Sequence, residues 1–401
     1  SQHPGQLWLV GNEIERRDWK TSTGHTGAQQ EILPEVYARA YHEIYYAIKS
    51  VDPTAKVSNG SIILPSPLRL EYMSRIWDEY KRLYHEPWPV DVWQIHLYLI
   101  REKRYETGAG IPAGIEAASG LFADLVDPEL TLLNKDFSHV PGLIRAFRVW
   151  MKEHGQQDKP LIITEMAVLM PDWIMPGEFT ASAIRNEFLY PTLDYIFNIK
   201  DPDLGMPNDD NRLVQTMFWW SFDKDYGYYD NNTFRQAYNG NLVWSGLGPP
   251  DNAPNPQGIS ELGQYWANYV ANVPDDVNLQ PVVAHPAAVI SKSGDPVSVE
   301  VKLTIANSGN VDVTQPFSVL FQQESSGAFL ASSEFSGRVR GCGAETTMSA
   351  NIPNLAPGLH SIRVIVDNYD DIPEMNNGDN ALVFTVLVAG HELRLPFIIR
   401  R

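Results

Sequence analysis

The sequence predicts an α/β unit, a parallel sheet covered by helices, followed by a separate all-β module. Three observations predict it. From Leu7 to Tyr269 short apolar strands alternate with amphipathic helices, the arrangement that buries a parallel sheet. All 11 tryptophans lie between Trp8 and Trp266, a composition boundary. Past Pro274-Asp275-Asp276 the apolar period changes to two, the mark of strands with one buried face. A length of 401 residues also suits one large and one smaller domain, at about 150 residues per domain.

The elements follow in order. Leu7 to Val10 reads as a short strand. A helix comes next, with Val36, Ala40, Ile44 and Ile48 at steps of four, Pro34 in its first turn and Asp52-Pro53 ending it. Lys56 to Ile63 is a strand, and Met73, Ile76, Trp77, Tyr80, Leu83 and Tyr84 form a helical stripe. Val92 to Leu99 is the third strand, followed by a long loop and a helix carrying Leu143, Phe147 and Trp150. Leu161 to Thr164 and Val214 to Ser221 are further strands, and Leu262, Trp266 and Tyr269 mark the closing helix. In the second module Val297, Val299, Val301, Leu303 and Ile305 alternate with polar residues, then Phe317, Val319 and Phe321, then Ile362, Val364 and Val366. Short strands separated by turn signals predict an immunoglobulin-like sandwich. The expected boundaries are residues 1–272 for the α/β unit, 273–281 for a linker, 282–389 for the sandwich and 390–401 for a tail.

Composition excludes several function classes. With 43% apolar and 20% charged residues the chain buries a sizeable core. The excess of 49 acidic over 31 basic residues gives −18, which opposes phosphate backbones and anionic lipid, so no nucleic-acid partner is expected. One cysteine, Cys342, is too few for a zinc cluster, an iron–sulfur site or a disulfide framework. The run Asn208-Asp-Asp-Asn211 lacks the spaced ligands of a calcium loop. Neither cofactor nor metal is expected. No apolar run reaches membrane-spanning length, and the start shows no signal peptide.

The candidate chemistry sits at strand ends. The first strand closes in Gly11-Asn12-Glu13 and a later one in Ile163-Thr164-Glu165; the carboxyl ends of parallel strands are where barrel enzymes build their sites. Either glutamate alone is an ordinary cap or loop residue. Between them His96-Leu97-Tyr98 places both polar rings on one face of a strand, and a last strand carries Trp219-Trp220-Ser221-Phe222-Asp223. For His96 a satisfied core histidine and a site residue are equally good readings. Glu15, Arg16, Arg17 and Asp18 read first as a solvated charge cluster and second as a subsite wall.

An Asn-Glu strand end, a His-x-Tyr strand, a Glu strand end and a Trp strand, in that order, resemble the retaining glycoside hydrolases of the large cellulase-like (β/α)8 clan. There these motifs lie on strands four, six, seven and eight, and the resemblance covers residues 5 to 272. It implies a partial (β/α)8 TIM-type barrel, units four to eight, with three units before Ser1 and the clan's strand-two arginine without counterparts. It implies Glu13 as acid/base and Glu165 as nucleophile. Asn12 then binds the sugar 2-hydroxyl, Tyr98 orients the nucleophile, Trp220 lies beneath the sugar and His96 contacts the substrate site. Such an enzyme needs its carboxyl groups about 5 to 5.5 Å apart.

The late module carries Ile305-Ala-Asn-Ser-Gly-Asn310, then Asp367-Asn-Tyr-Asp-Asp-Ile-Pro-Glu374 and Asn376-Asn-Gly-Asp-Asn380. It resembles the CARDB family of cell-adhesion-related immunoglobulin-like modules, which implies a spacer or adhesion role with cell-surface or polysaccharide contact. The tail from His391 resembles those that end some bacterial secreted proteins. A secreted or cell-surface bacterial glycoside hydrolase acting on a carbohydrate is therefore expected. The competing reading is a non-catalytic carbohydrate-binding or adhesion protein with a degenerate barrel.

Overall fold

The computed structural model describes residues 5–16, 31–100, 102–103, 109–115, 128–169, 175–221, 259–291 and 293–390. Arg17, Asp18, Phe222, Asp223 and the tail from His391 lie outside the described residues. The chain divides into two compact units, Ser1–Asn272 and Val273–Arg401.

In the first unit β1 (Leu7–Leu9) pairs in parallel with β2 (Lys56–Ser58). A parallel bridge from Ser58 to Val92 leads on to β3 (Trp93–Leu97). Beyond it β4 (Glu102–Lys103) and β5 (Ala109–Gly110) form a short parallel pair. The strands β6 (Leu161–Met166) and β7 (Thr216–Trp219) continue the sheet in the order β3-β6-β7, all parallel. Helices separate the strands: α1 (Pro34–Val51), α2 (Pro67–Tyr84), α3 (Val140–Glu153), then α4 (Ala181–Ile184) running through a π turn into α5 (Tyr190–Asn198). After β7 comes α6 (Glu261–Val270), capped by Ser260, whose hydroxyl accepts the Gly263 N–H at 2.9 Å. All five residues of β3 are buried, as a strand covered on both faces requires.

The buried face of α1 differs from the expected stripe. Pro34, Tyr37, Ala38 and Tyr41 point inward, while Val36 and Ile44 are 53% and 40% exposed. The tyrosines take the inner face because they bury more area and find a partner for the hydroxyl. The Tyr37 hydroxyl donates to the Val10 carbonyl at 2.6 Å, and the Tyr37 and Tyr41 rings meet Trp88 edge-on at 6.0 and 5.4 Å.

Among the described residues neither β1 nor β7 has a strand on its outer edge. Leu7, Trp8 and Leu9 of β1 are 43%, 52% and 50% exposed, and Phe218 of β7 is 53% exposed.

The second unit is all β. A three-stranded sheet has the order β13-β10-β8 and a five-stranded sheet the order β12-β11-β14-β15-β9. Their strands are β8 (Leu279–Pro286), β9 (Val289–Ile290), β10 (Val297–Asn307), β11 (Phe317–Gln323), β12 (Phe329–Phe335), β13 (Ala344–Leu355), β14 (Gly358–Val366) and β15 (Ala381–Ala389). Pairing is antiparallel except between β15 and β9. Val299, Val301, Leu303 and Ile305 share one core with Phe317, Val319, Phe321, Ile362, Val364 and Val366, the residues that period two places on one face. The linker expected over 273–281 is shorter. The strand β8 begins at Leu279, and Asp276 already accepts the Asn310 N–H at 2.9 Å, because the Asn-Ser-Gly turn offers its backbone to that segment.

Candidate active site

The site begins at the end of β1. Gly11 has φ +106°, and a Cβ there would stand 2.6 Å from the Ile14 side chain, so only glycine lets the chain turn here. The turn carries Asn12 outward and Glu13 inward. Glu13 itself has φ +44° and is held there by its own N–H, which donates to Ser61 Oγ at 3.0 Å. Its side chain is buried.

Strand β3 supplies the next two groups. His96 Nδ1 lies 3.2 Å from Glu13 Oε1 and 3.5 Å from Glu165 Oε2, so the imidazole stands between the two carboxylates. Tyr98, two residues on and on the same face, donates its hydroxyl to Glu165 Oε2 at 2.6 Å. Strand β6 delivers Glu165, and its neighbour Thr164 donates to Gln94 Oε1 on β3 at 3.0 Å, which ties the two strand ends together. Glu13, His96 and Glu165 each present one atom within 4.8 Å of the others.

Arg16 closes the other side of Glu13. Its Nη1 donates to Glu13 Oε2 at 2.7 Å, the Arg16 side chain being 44% exposed and that of Glu13 5%. Burial opposes the Glu13 charge, but the His96 contact and Arg16 outweigh it and hold the carboxyl below its ordinary range. Glu15, in contrast, is fully buried and leaves the cluster. Its Oε1 accepts the Arg69 Nε at 2.8 Å and the Ile63 N–H at 2.9 Å. Burial pushes its carboxyl upward despite that pairing. The reading of a solvated charge cluster is therefore corrected for Glu15, which is buried against Arg69, while Arg16 stays exposed and pairs with Glu13.

The structure thus brings Glu13, His96, Tyr98 and Glu165 into one contact set. Asn12 joins at its margin, its Oδ1 accepting from Ser61 Oγ at 3.4 Å. Trp220 follows β7 with its N–H bonded to the Met166 carbonyl at 2.9 Å and its ring part-buried against the core. Trp219 lies among the helices, its ring centroid 6.2 Å from Phe188 and 6.1 Å from Trp266. Ser61 and Arg69 were not identified from the sequence. Ser61 sits one residue past the Asn59-Gly60 turn signal; nothing in the local pattern marks Arg69.

The glutamate–histidine–glutamate group brings three ligand atoms close together, but each carboxylate is already engaged through one oxygen. Glu13 is already neutralised by Arg16, and the Glu165 oxygen nearest the imidazole already accepts the Tyr98 proton. A cation at the remaining oxygens would meet the Arg16 charge beside Glu13, which disfavours it there. What the arrangement offers instead is two carboxyl groups facing each other across one imidazole, one with a neutral hydrogen-bond donor and one with a cation.

No family profile matches the chain, and no curated protein matches it. Among solved structures, the CARDB domain of a Pyrococcus furiosus protein, in complex with di-metal ions, matches at 17% identity over 30% of this chain and 100% of that one, with a TM-score of 0.24. A family 51 α-L-arabinofuranosidase from Bifidobacterium longum matches at 9% identity over 87% of this chain and 66% of that one, TM-score 0.37. A glucosidase from Croceicoccus marinus matches at 12% identity, TM-score 0.32; the match covers 80% of this chain and only 62% of that enzyme. These likenesses are loose, and the functional reading rests on the geometry of the site.

Proposed function

We propose that the first unit is a glycoside hydrolase that works by retaining double displacement, with Glu13 as acid/base and Glu165 as nucleophile. The observation that carries this reading is the pair of glutamate oxygens within 4.8 Å of one another across His96. Inverting enzymes need room for a water and separate their carboxyl groups by about 6.5 to 9.5 Å, whereas direct attack needs about 5 to 5.5 Å. The Tyr98 hydroxyl on Glu165 Oε2 leaves the other oxygen to attack the anomeric carbon. Glu13 donates a proton to the leaving oxygen and later takes one from water. His96 keeps the two carboxylates apart and oriented. The order β1-β2-β3-β6-β7 supports a finer reading of the sheet as units four to eight of a (β/α)8 barrel, and the second unit reads as an immunoglobulin-like, CARDB-type spacer of a secreted or cell-surface protein.

Azide separates the two roles. Glu165→Gly should lose hydrolysis of aryl glycosides and regain turnover with azide, giving a glycosyl azide of inverted configuration. Glu13→Ala should keep activated aryl glycosides far better than unactivated ones, and its azide product should retain configuration. If the wild-type chain hydrolyses no glycoside of either anomer yet binds sugar, the catalytic reading fails and a carbohydrate-binding protein takes its place.

A further inference from the structure

Arg16 poses a chemical problem for the acid/base it touches. Its guanidinium is 2.7 Å from Glu13 Oε2, and a carboxylate in that pairing gives up its proton readily. A general acid must hold its proton when the leaving oxygen departs. The cation therefore has to find another partner once substrate is bound. Two observations indicate what that partner is. Arg16 is nearly half exposed while Glu13 is almost fully covered, so the guanidinium stands on the solvent side of the carboxylate, where an incoming ligand meets it first. Among the described residues Arg69 is a second cation near this strand end, and it is fully buried and holds Glu15 and the Gly110 carbonyl, so it is not open to a ligand. Among the described residues the other titratable side chains around Glu13 are His96, Glu15 and Glu165, and the two carboxyl groups are anionic when ionised.

We propose that Arg16 binds an anionic oxygen substituent of the sugar, so that the site takes short acidic glycosides. This rests on the glycosidase reading and names its substrate class. The forked guanidinium exchanges the Glu13 carboxylate for a carboxylate or sulfate on the ligand, a pairing it makes with two parallel hydrogen bonds. Glu13 is then released to take up a proton. A neutral sugar offers no such exchange and leaves the acid/base paired. The chain's −18 acts at a distance and is screened beyond about 8 Å in physiological salt. It disfavours long polyanions and leaves a single anionic group beside Arg16 governed by the local pairing.

Titration calorimetry of the full chain tests this with methyl glucuronide and methyl galacturonide, their 6-sulfated glucose and galactose counterparts, and the neutral methyl glycosides, in both anomers. At least one acidic probe should bind about tenfold tighter than its neutral parent; whether it is a uronide or a sulfate identifies the anion. Arg16→Gln should collapse that ratio to near one, and Arg16→Lys should keep part of it. A ratio near one in the wild type, no binding by any acidic probe, or a preference that survives in Arg16→Gln overturns the proposal. The catalytic reading fails differently. Glu165-dependent hydrolysis of neutral glycosides without acidic preference sinks this inference alone; an Arg16-dependent acidic preference without any hydrolysis sinks the catalytic reading alone.

Discussion

Glu13 occupies left-handed backbone, at φ +44°, a conformation that costs a residue with a Cβ about 1 kcal/mol. The cost is met by the Ser61 hydroxyl on its N–H and by the two partners of its carboxylate. That setting has a consequence for pH. In the free protein His96 and Arg16 hold Glu13 ionised below the ordinary glutamate value of 4.5, while Glu15 and Glu165 are the like charges on either side. The proton needed for glycosylation is lost as pH rises through that lowered value, so kcat/KM should fall on its alkaline side. Arg16→Gln removes one of the lowering groups, and the falling limb of a pH profile on an activated aryl glycoside should move to higher pH; a limb that stays in place denies Glu13 the acid role. At this scale period two foretold that His96 and Tyr98 share a face, because a strand's geometry is local. The fate of Glu15 was not legible: its partner Arg69 lies 54 residues away, and only the packing of α2 against the loop brings them together.

At the scale of elements, that buried pair fastens the loop after β1 to the start of α2. Arg69 is in the first turn of α2 and bonds at once to Glu15 and to the Gly110 carbonyl, while the Glu15 carbonyl accepts the Ala113 N–H. Three chain segments meet in one ion pair that is fully out of solvent. Removing one partner of such a pair costs about 3 to 5 kcal/mol, while replacing both with apolar groups is often close to neutral. Arg69→Met should therefore lower the unfolding free energy of the first unit by about 3 to 5 kcal/mol in urea titrations read by tryptophan fluorescence, and Glu15→Leu combined with Arg69→Met should recover most of it. Equal losses in the single and double variants would show that packing, and not charge, holds the loop. The helix α1 illustrates the other limit of sequence reading. A stripe at steps of four was visible in Val36, Ala40, Ile44 and Ile48, yet the buried face is the one bearing Tyr37 and Tyr41. Tyrosine counts as half polar in a periodicity argument, and its burial depends on acceptors such as the Val10 carbonyl that only the tertiary structure supplies.

Over the whole molecule, all 11 tryptophans belong to the first unit, so their fluorescence follows that unit and far-ultraviolet dichroism near the β signal adds the second. The second unit carries its own titration. Burial pushes Glu374 up to about 7, and the nearby Asp367 and Asp379 charges add to it. As pH rises the unfolded chain releases this proton before the folded one does. The stability it contributes is whole below about pH 4.5 and is lost as pH passes through 7. The second unit should be less stable at pH 8 than at pH 5 by on the order of 1 kcal/mol once solvent screening is allowed for, and its β-sheet transition should melt at a lower temperature. Glu374→Gln should flatten the difference. A slope unchanged in that variant would place the titration elsewhere.

The edge of β1, on which no strand lies among the described residues and where Leu7, Trp8 and Leu9 face water, bears on how the protein behaves in a vial. At neutral pH a charge of −18 keeps copies apart. Near the isoelectric point of about 4.9 that repulsion disappears, while unpaired backbone groups and apolar side chains on the edge remain available to another chain. Self-association, as well as unfolding, then bears on the lower pH at which the protein can be handled.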